Sequence, residues 1–252
     1  MTPMAISTRR AALLFLAGHM VLAGAHAAGK RGVHDCAPEL VALVGKPAGT
    51  GKAGELVTGA CKAWPGKPGL TIAALAYDDG RESDKPLVVA LVDTAHAKLV
   101  ARYDGLLEED AALTVGPGSL SIDTARYQLA PGVRAFGLDV STSFSRGCGD
   151  GGFGPARTLF VQEGGTLRPV LSSLYLSEWH YIKGGPSCMA AQEDDVIETV
   201  SYSVGIGKTV QHGFASLVVT GSSDIPHTRP RSQELRYDGR TYAQPAFDWS
   251  RR

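Results

Sequence analysis

"TLFVQEGGTLRPVL" (158–171) decides the fold. Two strand-like runs flank Gly164-Gly165, and a glycine pair supplies the positive φ angles that a two-residue hairpin turn needs. Its neighbours carry the same signature. "RAFGLDV" (134–140) sets Phe136, Leu138 and Val140 on one face, and "SLSIDTARY" (119–127) does so with Leu120 and Ile122. "ETVSYSVGIG" (198–207) alternates Val200, Tyr202, Val204 and Ile206 against Ser201, Ser203 and Gly205. "ASLVVTG" (215–221) follows, and "ELRYDGRTYA" (234–243) closes on an Asp238-Gly239 turn. Upstream, "LTIAALAY" (70–77) and "LVVALVD" (87–93) are short apolar runs bounded by turn residues, and "KLVARYD" (98–104) completes a hairpin over 87–104.

Strands at this spacing predict an all-β, mostly antiparallel fold, arranged as a sandwich, a barrel or a propeller-like array. Residues 70–252 read as a single β-rich domain. Residues 28–69 read as an irregular or briefly helical N-terminal segment tied by a disulfide. Within it, Leu40–Val44 is a short apolar patch, and 55–63 reads as a short helix stopped by Trp64-Pro65-Gly66.

Residues 1–27 read as an export signal. Arg9 and Arg10 precede an apolar run over 11–23 that is too short to span a bilayer, and Ala25-His26-Ala27 is a small-residue cleavage site. Thr8-Arg9-Arg10 also resembles a twin-arginine signal, though Ala12 stands where phenylalanine is usual, so either export route fits. The expected location is the periplasm, with no transmembrane anchor. Losing this segment takes two of 25 basic residues and none of 25 acidic ones. Nucleic-acid binding needs a basic stripe, which the remaining chain lacks.

All four cysteines, Cys36, Cys61, Cys148 and Cys188, follow the signal, and an even count in an oxidising compartment predicts two disulfides. Three connectivities are open; Cys36–Cys61 and Cys148–Cys188 each close a short local loop.

Several stretches imitate catalytic motifs. "SRGCGDGGFGP" (145–155) and "DTAHA" (93–97) look like the nucleophile and histidine loops of chymotrypsin-like proteases, yet Gly151 occupies the nucleophile position and has no side chain to attack with. "VALVGKPAGTGKA" (41–53) and "GIGKT" (205–209) imitate phosphate loops, but Lys46 and Tyr202 stand where the first glycine belongs. Hard oxygen ligands cluster in "DDGRESD" (78–84) and "QEDDVIE" (192–198), which leaves calcium as a candidate, although neither matches an EF-hand loop. No H-x-H, H-E-x-x-H or G-x-S-x-G sequence offers a zinc or esterase site, and the expectation is no catalytic residue and no cofactor. A pair of carboxylates, as in glycoside hydrolysis, stays open because sequence separation does not fix distance.

"SEWHYIKGG" (177–185) concentrates Trp179, His180 and Tyr181 ahead of a glycine turn near Cys188. Aromatics on a tethered loop make good anchors for a partner; the favoured reading is nevertheless that Trp179 and Tyr181 flank a strand end in the core. With Asp150, these three form the candidate binding site, and the expected partner is an envelope protein or a cell-wall component.

Cys61-Lys62-Ala63-Trp64-Pro65, "LSIDTARYQLAPGVRAFGLDV" (120–140) and "TLRPVL" (166–171) occur in an order that resembles a family of uncharacterised exported proteins of Gram-negative bacteria. The resemblance implies an envelope β-protein and carries no activity. "GFASLVVTG" (213–221) with "LRYDGRTY" (235–242) is similar to the ends of periplasmic lysozyme-inhibitor-like domains, whose Ser-Gly-x-x-Tyr signature is absent here. The function these readings favour is a non-enzymatic binding module, with an envelope hydrolase using paired carboxylates, or a lysozyme-inhibitor-like protein, as the alternatives.

Overall fold

A computed structural model describes residues 36–47, 54–80, 84–109, 113–144, 149–185 and 194–245. The export signal expected over 1–27, together with Cys148 and Cys188, lies outside the described residues. The described chain is all-β apart from one helix, α1 (Pro38–Val44). The strands are β1 (Glu55–Ala63), β2 (Leu70–Asp78), β3 (Asp84–Asp93), β4 (Lys98–Glu108), β5 (Leu113–Thr114), β6 (Leu120–Ala130), β7 (Val133–Val140) and β8 (Ser143–Phe144). They continue with β9 (Gly151–Phe153), β10 (Ala156–Glu163), β11 (Thr166–Tyr175), β12 (Ser177–Lys183), β13 (Val196–Gln211), β14 (Phe214–Ser223) and β15 (Arg231–Leu235).

Eight strands form one sheet in the order β1-β2-β3-β4-β11-β10-β7-β6, antiparallel throughout except for a parallel contact between β4 and β11. The sheet curls into a half-barrel. Its two edges meet through side chains: Lys62 Nζ donates to the Ile122 carbonyl at 3.1 Å, and the Gly118 N–H donates to Thr58 Oγ1 at 3.2 Å. A second sheet has the order β15-β14-β13-β12-β9, and β5 pairs with β8. The architecture is therefore a half-barrel with a second sheet, and the propeller-like alternative is set aside.

Period-two alternation explains what each strand buries. Inside the curl, Ile72, Val89, Leu91, Phe136, Leu138 and Phe160 pack around Trp64, whose ring meets Phe136 edge-on at 5.5 Å. The opposite face of β2 and β3 (Ala73, Leu75, Val88, Ala90 and Val92) lies under α1 through Leu40 and Val44. Apolar residues on both faces are what made 70–77 and 87–93 read as unbroken apolar runs. The outer face of β6, β7, β10 and β11 packs Tyr127, Leu129, Leu159 and Val161 against Leu217, Val219 and Leu235 of the second sheet.

The hairpin read from 158–171 is present, with Glu163 opposite Thr166 and Gly164 at φ 59°. Gly165 does not share it, and a positive φ at the first central position alone is the type II′ arrangement. This ribbon continues past the end of the first sheet. The Leu176 N–H donates to the Pro155 carbonyl and the Gly154 N–H to the Ser177 carbonyl, and β9 then pairs with β12. One bent two-stranded ribbon thus belongs to both sheets.

One reading of residues 28–69 is corrected. Residues 55–63, expected as a short helix, form β1, paired with β2 from Glu55↔Asp78 to Ala63↔Thr71. Residues 38–44 make a helix of seven residues, the brief helical stretch expected around Leu40–Val44. A helix this short is not stable alone, and it is held at both ends. Cys36 is bridged to Cys61 on β1, as expected. At the other end the Arg102 guanidinium donates to the carbonyls of Val44 and Lys46, both at 2.5 Å, which satisfies acceptors the last turn leaves open.

Candidate functional site

The bent ribbon brings the two glycine-rich and aromatic stretches together. Gly151, Gly152 and Phe153 run antiparallel to His180, Trp179 and Glu178, and the Asp150 carbonyl accepts the Tyr181 N–H at 3.2 Å. Of the four expected binding residues, Asp150 therefore adjoins the aromatic strand through its backbone. Trp179, His180 and Tyr181 divide between the two faces of β12, as alternation requires.

Trp179 and Tyr181 share the open face, half-buried, with ring centroids 6.0 Å apart at 75°. The glycine of β9 opposite Trp179 is a steric necessity. A Cβ on Gly152 would stand 2.6 Å from the indole Nε1 and 3.0 Å from Cε2, so the indole lies across β9 at that residue. The favoured expectation, that Trp179 and Tyr181 flank a strand end in the core, is corrected: both lie within β12 and neither is fully buried.

His180 points to the other face and meets Glu198, its partner in register, with Nε2 3.2 Å from Oε2. Glu198 is 1 % exposed, whereas His180 is 35 % exposed. Ser223 Oγ donates to Glu198 Oε1 at 2.5 Å and accepts from the Ile225 N–H. A nucleophilic triad places the base between hydroxyl and acid; here the carboxylate stands between Ser223 and His180, and the serine proton is given to the acid. The cluster anchors β12, β13 and β14 to one another. Beside it, Tyr202 OH donates to Glu178 Oε1 at 2.8 Å.

A second carboxylate group sits on the outer face of the half-barrel. Arg157 grips Asp139 through two hydrogen bonds of 2.6 and 2.7 Å and reaches Asp123 Oδ2 at 2.6 Å, while Tyr127 OH donates to the same Asp123 oxygen at 2.6 Å. Burial on its own raises the Asp123 carboxyl, but hydrogen bonds from Tyr127 and the Ala125 N–H, with the Arg157 charge, outweigh it and hold Asp123 below the ordinary value of 3.8. Burial and the Asp123 hydrogen bond together push the Tyr127 phenol up. A general acid of a glycosidase pair needs a raised carboxyl, and Asp123 is displaced in the opposite direction. This group fits a structural clamp.

Among the described residues no three His, Cys, Asp or Glu side chains converge as a metal site. Asp78, from the first acidic run, accepts the Gly80 N–H and lies 3.4 Å from Lys85; Glu198, from the second, is the buried partner of His180. The phosphate-loop look-alikes are displaced structurally as well. Gly45 follows the C-terminal end of α1, the end whose dipole repels anions, and residues 205–209 lie inside β13. His96 tops the β3–β4 turn in the first sheet, bonded to Asp93 at 2.8 Å, while Gly151 belongs to the second. No helix among the described residues is long and apolar enough to cross a membrane.

Comparison with protein-family models, curated proteins and solved structures finds no match for this chain. The functional reading therefore rests on geometry.

Proposed function

We propose that the protein is exported to the periplasm and acts there as a non-enzymatic binding module, with the open face of β12 and its neighbours as the contact surface. The observation that carries this reading is the fixed pose of Trp179 over Gly152 with Tyr181 beside it. Two aromatic anchors held in place before contact lose little freedom on binding, which favours affinity. The engaged states of Ser223, Glu198, Asp123 and Asp139 also favour a structural role for these groups. The Cys36–Cys61 bridge suits an oxidising compartment.

In-cell photo-crosslinking tests the reading. A benzophenone amino acid at Ser222, on the open face, is expected to give a defined adduct. The same group at Leu106, exposed on β4 of the first sheet, is expected to give none. Adducts from both positions alike, or from neither, would overturn it.

A further inference from the structure

The open face of the second sheet has a chemistry of its own. Register places Thr199 beside Trp179, Ser201 beside Ser222, and Ser203 beside Thr220 and Ser232, all on the side away from the half-barrel. Four of these hydroxyl residues (Ser201, Ser203, Ser222 and Ser232) are exposed. Thr220 Oγ1 and Ser232 Oγ are 2.8 Å apart, and Ser203 Oγ donates to the Thr220 carbonyl at 3.4 Å. Each hydroxyl has one donor and two acceptor sites, so these bonds leave capacity for a ligand.

Apart from Asp224, which continues the Trp179–Thr199 row at the margin, these rows carry no charged side chain. The acids at their margins are engaged within the protein: Asp224 accepts the Thr199 N–H at 2.8 Å, and Glu234 accepts Ser216 Oγ at 2.6 Å. An anionic partner would surrender hydration here beside two carboxylates and find no cation in these rows. A neutral, hydroxyl-rich partner would not.

Resting on the binding-module reading above, we propose that this face binds a neutral glycan chain of β-linked glucose or N-acetylglucosamine type. Such a pyranose has a flat face of C–H bonds and a rim of hydroxyls. The C–H hydrogens are weakly positive and suit the negative face of an aromatic ring. Trp179, laid across β9 where Gly152 has no side chain, is the platform; Tyr181, set at 75° to it, is the wall; the Ser/Thr rows meet the rim. Neighbouring strands are about 4.8 Å apart, so hydroxyls recur across the sheet at close to the length of one sugar ring.

Titration of the full chain with soluble β-1,4 oligomers of glucose and of N-acetylglucosamine, followed by calorimetry, tests the assignment. Binding to at least one oligomer is expected, little changed by added salt, and at least about tenfold tighter than to polygalacturonate, an anionic glycan. Trp179→Ala is expected to weaken it at least about tenfold. Gly152→Ala keeps the indole but forces it off the strand, and is expected to weaken binding similarly while the thermal midpoint shows that the chain still folds. Binding of neither oligomer, a preference for polygalacturonate, or equal binding by both variants would overturn the glycan assignment. If the oligomers fail while Ser222 still yields a defined protein adduct, the glycan assignment falls and the binding-module reading stands. Failure of both experiments removes both.

Discussion

Arg157→Ala is expected to lower the unfolding free energy by about 3–5 kcal/mol, because it leaves two carboxylates in a largely buried place without their cation. Arg157 is 14 % exposed and Asp139 13 %. For a chain of this size that is a fall of roughly 10 °C in the thermal midpoint. Arg157→Lys retains the charge but not the paired geometry toward Asp139, so it should recover only part of the loss. Acid separates the electrostatic cause from lost packing. The Asp123 carboxyl is held below its ordinary 3.8, so the stability it lends is complete above that value and is lost as pH falls through the folded one. In the alanine variant, protonation relieves the stranded Asp123 carboxylate. The gap between wild type and variant should therefore close below about pH 4. A gap that stays constant from neutral pH to pH 3 would rule out the clamp as its origin.

Loss of the Cys36–Cys61 bridge has the next largest expected effect. The bridge closes 25 residues, and a loop of that length restrains the unfolded chain by about 3 kcal/mol. A Cys36→Ala/Cys61→Ala variant should be less stable by about that amount in denaturant titration. Arg102→Ala removes the other tether of α1 and should cost about 1–2 kcal/mol, since hydrogen bonds from a charged donor are lost. The combined variant should release α1 and uncover Leu75, Val88 and Ala90, detectable as binding of a hydrophobic dye to the native state. A combined variant as dye-free as wild type would show that other contacts hold the helix. Alkylation of the denatured, unreduced wild type should add no mass, because Cys148 and Cys188 are proposed as a second bridge.

The sequence displays what is local and hides what depends on register. Gly164-Gly165 and the alternation from Val200 to Val204 are local, and both read correctly; Ile206 keeps the alternation but is exposed, because β13 extends beyond the core. The interval "ELVTGACKA" (55–63) contains more helix formers (Glu55, Leu56, Ala60, Lys62 and Ala63) than strand formers (Val57 and Thr58), and pairing with β2 overrides that preference. The curl of the half-barrel is likewise non-local. It comes from β11 returning beside β4 and from Lys62 reaching β6, neither of which has a signature in any short window. At the candidate site the aromatic cluster and the glycine segment were each visible, and so was their neighbourhood. The link from His180 to Glu198 was not. Glu198 belongs to an acidic run, and only strand register turns it inward, where His180 and Ser223 satisfy it.

The lone parallel contact between β4 and β11, with Thr166 opposite Arg102, divides the large sheet into two halves. Strands β1 to β4 follow one another without a crossing and carry their own helix and disulfide. Short-range pairings form early, whereas a closure spanning about 60 residues must be completed before its contacts repay it. The first half is thus equipped to fold while the rest of the chain is still emerging, and the joint to β11 is the late step. Pulse-labelled hydrogen exchange during refolding should protect Ala73 and Ala90 before Val161; simultaneous protection would contradict that order.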